Sequence, residues 1–159
     1  VIFFEHKTLY TISGDVPDDE YLVPFGKARI VSEGNDCTLV ATGRMVSFCE
    51  NAAQALAEDG ITCDIIDPRT TSPLDEDAIL DSVEKTGRLV VVDETPPRCS
   101  FAADIAALAA GEVFSSLKAP VRQITGPHSP VPFAKELEGE FVPSPTKIRD
   151  AVSEVVNFK

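Results

Sequence analysis

The polar residues that could do chemistry gather in four short runs: Thr42-Gly43-Arg44, Asp67-Pro68-Arg69-Thr70-Thr71, Asp93-Glu94 and Gly126-Pro127-His128. Gly43, ahead of a helical pattern, could offer backbone N–H groups to a phosphate or another small anion. No GxGxxG and no Walker pattern surrounds it, so a tight strand-to-helix turn is the expected use of this glycine. Asp67 and Arg69 are expected to form a local ion pair that fixes their turn. Asp93 and Glu94 are adjacent, so on a strand they point to opposite faces and make no ready acid–base couple. His128 stands among Pro127, Pro130 and Pro132, where packing or capping is expected rather than proton transfer. For His6, which follows an apolar run, the expectation is a surface or interface role.

Sulfur and clustered carboxylates add little. Cysteines stand at 37, 49, 63 and 99, with no CxxC and no Cys/His pair at zinc spacing. Cys37, Cys49 and Cys63 fall inside expected strands and helices and are read as buried, reduced thiols, which implies a reducing cytoplasm. Cys99 sits on a loop ahead of a helix and is expected to be accessible, with no histidine near in sequence to make it a nucleophile. The acidic runs Asp15–Glu20 and Asp75–Asp81 read as a solvated loop and a helix start, where negative charge suits the helix dipole. No spacing of carboxylates suggests a metal site, and none is expected.

These residues need a scaffold, and the hydrophobic pattern supplies one. Short runs rich in β-branched residues predict strands at Ala28–Glu33, Thr38–Thr42, Thr62–Asp67, Leu89–Asp93 and Val121–Thr125. Met45, Val46, Cys49, Ala53 and Leu56 share one helical face, with Gly60 as a left-handed stop. Ala78, Ile79 and Val83 form a second stripe between Asp75, expected to cap with its side chain, and Gly87. A third is Phe101, Ile105 and Leu108; a last helix starts at Ser144-Pro145 and shows Ile148, Val152 and Val155. Strands alternating with helices predict a three-layer α/β domain around a five-stranded mixed sheet. Only Gly34, Asn35 and Asp36 separate the first two strands, too few for a parallel crossover, so one must run antiparallel. Alone, that spacing would make the two strands hairpin neighbours. The strand-end crevice near Gly43 and Glu94 is where such a sheet would bind a ligand.

The chain has 159 residues, enough for one domain with its own core. Acidic residues number 26 against 14 basic ones, a net charge of −12 that repels nucleic acid and anionic lipid. No apolar window is long enough to span a membrane. Residues 1–27 differ from the rest: Val1–Glu5 reads as a buried strand, and Gly14–Glu20 as a turn-rich acidic connector. The chain starts at Val1 and its single methionine is Met45, as expected of a processed chain or a piece of a longer one.

Three strings carry a family likeness: YLVPFGKARIVSEGNDCTLVATGRMV, GITCDIIDPRTTSPLDEDAILDSVEKTGRLVVVDE and APVRQITGPHSPVPFAKELEGEFVPS. Together they resemble the second half of the β subunit of the decarboxylating component of thiamine-diphosphate-dependent 2-oxo acid and acetoin dehydrogenase complexes. That half is a transketolase C-terminal domain. Pro97–Ser100 (PRCS) and Pro127–Phe133 (PHSPVPF) resemble the acetoin type. The resemblance implies a sheet order 1-3-2-4-5 with the first strand antiparallel. It also implies that residues 1–27 are the end strand and linker of a preceding pyrimidine-binding domain, with the C-terminal domain at 28–159. Thiamine diphosphate and Mg²⁺ belong to the parent enzyme. In the family the cofactor's glutamate lies upstream and the GDG…N motif on the α subunit; Ser13-Gly14-Asp15-Val16 lacks the second glycine and the asparagine. No catalytic residue and no bound cofactor are therefore expected in this chain.

The partners implied are the chain's own N-terminal domain, the α subunit, a second β subunit and the small basic binding domain of the acyltransferase core. Interface candidates are Lys118, His128, Phe133 and Phe158. The family docks the acyltransferase through its C-terminal carboxylate and an acid just before an Ala-Pro. Here Lys118 precedes Ala119-Pro120, which places like charge against a basic partner. Self-association of the chain is expected. A second reading is a free-standing α/β domain that takes a small anion or nucleotide in the crevice, with Gly43, Asp67, Arg69, Asp93 and Glu94 as candidate contacts.

Overall fold

The computed structural model describes residues 1–159. Five strands form one sheet: β1 (Arg29–Ser32), β2 (Cys37–Ala41), β3 (Cys63–Asp67), β4 (Leu89–Asp93) and β5 (Arg122–Thr125), in the order β1-β3-β2-β4-β5. β1 pairs antiparallel with β3, and the other pairs are parallel. This is the mixed α/β sheet that the resemblance implied. The hairpin that spacing alone suggested does not form, and the reason is local. The Gly34–Asp36 connection straddles the entry to β3: Gly34 N–H donates to Asp64 Oδ1 (2.7 Å), Asn35 N–H to Thr62 Oγ1 (3.0 Å) and Asp36 N–H to the Thr62 carbonyl (3.0 Å). Asp36 accepts in return from the Thr62 N–H and hydroxyl, which holds its carboxyl below the usual range. A three-residue link thus steps over a whole strand.

There are five α-helices, α1 (Arg44–Glu58), α2 (Glu76–Thr86), α3 (Phe101–Glu112), α4 (Lys135–Phe141) and α5 (Pro145–Val156), and all but the short α4 cover the sheet. α1 and α5 lie on one face, where Met45, Cys49, Leu56, Ile148 and Val152 pack on Leu39, Ile65 and Val90. α2 and α3 cover the other, with Ile79, Val83 and Ile105 against Val40, Ile66 and Val91. Every residue of β2 and β4 is buried, as continuous apolar runs between two helix layers require. Each such Val or Ile contributes about 1.5–3 kcal/mol relative to exposure. No helix is long and apolar enough to cross a membrane.

Val1–Glu5 is exposed and pairs with no other segment of this chain; the resemblance places the partners of that strand in the preceding domain. Two local expectations need correction. The buried face of α3 is Ala102, Ile105 and Ala109, with Phe101 and Leu108 half-buried. Its sequence, FAADIAALAA, is apolar on nearly every side, so periodicity did not fix the face. Asp75 occupies the cap position of α2 without bonding the helix. Its nearly buried carboxylate instead accepts from Ala28 N–H (2.8 Å) with Lys27 Nζ at 3.7 Å, satisfying the charge with both an amide and a cation. The short α4, between β5 and α5, had no signal in the sequence reading.

At the amino ends of the strands lies a polar chain the sequence did not reveal. Asp64, 3% exposed, bonds Gly34 N–H, Ser82 Oγ (2.6 Å) and Lys85 Nζ (2.6 Å). Ser82 passes to Thr38 Oγ1 and Thr38 to Thr86 Oγ1, each 2.8 Å. Buried polar groups so connected fix α2 on the sheet at little net cost.

Candidate functional site

The sheet reverses its winding between β2 and β4, so the crevice lies beyond their carboxyl ends. Gly43 follows β2 with φ +55°, a conformation that favours glycine, and starts α1. Glu94 follows β4. Gly126, at the end of β5, has no room for a side chain: a Cβ there would lie 2.8 Å from the Glu94 carbonyl oxygen and 2.9 Å from the Phe141 ring. That approach packs Phe141, the last residue of α4, beside the backbone of Glu94.

Two further groups meet Glu94. Arg44 Nη1 lies 3.9 Å from one carboxylate oxygen, and its guanidinium stacks over Phe48 at 4.7 Å. His6 Nε2 lies 2.9 Å from the other oxygen. The chain's own N-terminal segment therefore meets the crevice at Glu94, and its 3-10 turn Lys7–Thr11 follows His6. Arg44 stands in the first of the polar runs of the sequence, but its partners were not foreseen; an aromatic four residues on was the available signal for Phe48.

The adjacent acids part as strand geometry requires. Asp93, 6% exposed, turns to α3: Oδ1 accepts from Thr95 N–H (3.0 Å), and Oδ2 from the Thr95 hydroxyl (2.7 Å) and Ala102 N–H (3.2 Å). It is a structural cap. Asp67 and Arg69 do not pair through their side chains. Arg69 has φ +58°, which brings its backbone N–H to Asp67 Oδ1 at 3.0 Å and leaves the guanidinium outside. The turn is fixed by an amide, not by the ion pair the spacing suggested. Of the crevice candidates, the structure unites Gly43 and Glu94 and assigns Asp67 and Asp93 to turn and cap.

The interface candidates separate into two groups. Lys118 N–H donates to the Gly87 carbonyl (2.7 Å) at the amino end of β4, and its stem covers Gly87. α5 ends nearby, since Arg88 Nε donates to the Val155 carbonyl (3.0 Å), so Phe158 shares that amino end. His128 and Phe133 follow β5 at the carboxyl end, and both are exposed. Cys99 is exposed, whereas Cys37, Cys49 and Cys63 are buried. An open depression of about 540 Å³ lies beside Cys99, lined by Phe101 and Asp104 among others.

Comparison with known proteins agrees with this architecture. The family model for "Transketolase, C-terminal domain" matches residues 26–148. The chain is 52% identical to the acetoin:2,6-dichlorophenolindophenol oxidoreductase subunit beta of Bacillus subtilis (strain 168), over 98% of the chain and 46% of that protein. It is 38% identical to the 2-oxoisovalerate dehydrogenase subunit beta of the same organism, over 99% of the chain and 49% of the relative. The chain thus spans about half the length of the curated relatives it matches. Among solved structures, a split-gene transketolase in an inactive β4 tetramer superposes with TM-score 0.75 at 23% identity, over 91% of this chain and 45% of that one; at that identity the likeness concerns the fold alone. With the family model running from the turn before β1 into α5, the chain belongs to the transketolase C-terminal domain family.

Proposed function

We propose that this chain is the assembly part of the β subunit of a thiamine-diphosphate-dependent dehydrogenase acting on acetoin or a 2-oxo acid. The observation that carries the reading is the 52% identity to the acetoin oxidoreductase β subunit along 98% of the chain. In this reading residues 1–27 belong to a preceding pyrimidine-binding domain and its linker. The carboxyl end, with His128 and Phe133, faces the α subunit or a second β subunit. The amino end, with Lys118 and Phe158, is where the acyltransferase binding domain docks.

The residues present do not fit thiamine diphosphate or Mg²⁺. A diphosphate needs converging free donors and Mg²⁺ needs oxygen ligands. Glu94 is already engaged by His6 and Arg44, and no three His, Cys, Asp or Glu side chains gather where a metal could sit. The cofactor's contacts are assigned to the parts of the enzyme outside this chain, and the chain itself to assembly. Nor does the crevice favour the small-anion reading, because the His6 and Arg44 side chains there already face the Glu94 carboxylate.

Two measurements test this. The purified chain with thiamine diphosphate, Mg²⁺ and acetoin, pyruvate or a branched-chain 2-oxo acid is expected to give no turnover; turnover would overturn the non-catalytic assignment. Sedimentation is expected to show self-association, since Val131, Phe133 and the Val1–Phe4 run are uncovered. A strict monomer at high concentration would argue against an assembly role.

A further inference from the structure

The geometry points to a latch: the contact of His6 with Glu94 fastens the N-terminal segment to the carboxyl ends of β2 and β4. This inference rests on contacts within the chain and does not depend on which substrate the parent enzyme uses.

The first support is the burial pattern. Of the residues before Gly26, only His6 and Leu9 are not exposed. The segment thus touches the domain through a short stretch, not along its length. A second anchor follows at Gly26, whose N–H donates to Thr70 Oγ1 (2.9 Å), and at Ala28 with Asp75. Between the anchors, residues 12–25 are all exposed. The segment is a strap fastened at both ends.

Its hydrogen bonding supplies the direction. His6 Nδ1 accepts from Thr8 N–H at 3.3 Å and lies 2.8 Å from the Thr8 hydroxyl. A backbone N–H can only donate, so Nδ1 is the lone-pair nitrogen and the ring proton sits on Nε2. That proton faces Glu94 Oε2 at 2.9 Å. Thr8 therefore selects the tautomer that binds Glu94, while Arg44 steadies the carboxylate from its other oxygen. His6 lies beside Gly43, where a Cβ would stand 3.9 Å from His6 Cβ, an ordinary contact. The consequence is positional: whatever precedes His6 is held at a fixed place beside the sheet's switch point, and releasing the latch frees one oxygen of the Glu94 carboxylate.

Trypsin reads the strap directly, because Lys7 is the only lysine or arginine before Lys27. The measured quantity is the ratio of native-state cleavage at Lys7 to cleavage at Lys85, which lies in α2 and tracks opening of the domain itself. Glu94→Ala is expected to raise that ratio about tenfold, the effect of one charge-assisted hydrogen bond. His6→Ala should do the same or more, since it also removes the cap of the Lys7–Thr11 turn. The double variant should exceed His6→Ala by less than twofold, because the two residues act through one contact. An unchanged ratio in Glu94→Ala overturns the latch, and so do single effects that multiply in the double variant.

Discussion

The carboxylate of Asp93, at the last position of β4, lies 3.2 Å from the backbone nitrogen of Ala102 in the first turn of α3. With Ser100 Oγ accepting from Ala103 N–H at 3.1 Å, two side chains divide the free donors of that helix start. The same carboxylate closes the Thr95 turn. One buried charge therefore fixes the angle at which the chain leaves the sheet beside Glu94.

Removing that charge tests its role. Asp93→Ala leaves Thr95 N–H and Ala102 N–H without their acceptor in a poorly hydrated place, and is expected to cost about 2–3 kcal/mol. Thr95→Val removes only the hydroxyl and should cost under about 1 kcal/mol. Urea denaturation of both variants decides it. Equal losses would mean that Asp93 does not act as the cap.

How much of this was legible beforehand varies with the range of the interaction. The strands could be read because Val, Ile and Leu runs such as Leu89–Asp93 announce themselves locally. Their order could not be read from spacing, since nothing local says that Gly34–Asp36 crosses β3 and does not turn back beside it. Asp93 and Glu94 were placed on opposite faces by strand geometry alone, which the structure shows. Their partners were not foreseen, because His6 and Ala102 reach them through tertiary packing. Asp67 misled for a related reason: charge complementarity suggested Arg69's side chain, whereas the left-handed backbone of Arg69 offers the N–H instead.

The crossing at Gly34 gives a second prediction. A Cβ at that position would lie 2.3 Å from the Cys63 backbone nitrogen and 2.4 Å from the Thr62 carbonyl carbon, and backbone cannot move aside as a flexible side chain can. Gly34→Ala must lift the connection off β3, and is expected to destabilise the fold by about 3 kcal/mol. Gly111, inside α3, meets nothing within 4 Å, so Gly111→Ala should stabilise by about 0.5–1 kcal/mol. Chemical denaturation at constant pH compares them. A Gly34→Ala protein as stable as the parent would show that the connection does not pass as described.

The cysteines give a prediction in pH. Burial pushes the Cys63 thiol up to about 12, with Asp36 and Asp64 adding to it, and raises Cys37 and Cys49 as well. In the unfolded chain a thiol ionises near ~8.5. Above that pH the unfolded state releases protons that the folded state keeps, so the unfolded state is favoured as pH rises. Stability from these thiols is complete below about 8.5 and is lost as pH climbs toward the folded values. In native protein at pH 8, iodoacetamide is expected to label the exposed Cys99 and leave the other three unreacted until denaturant is added. Cys63→Ala should lower stability through the cavity it leaves, yet reduce the fall in urea midpoint between pH 8.5 and 11. A variant with the parent's full alkaline slope would show that ionisation of Cys63 contributes nothing to it. Native-state labelling of Cys37 or Cys49 at the rate of Cys99 would contradict their place in the core beneath α1.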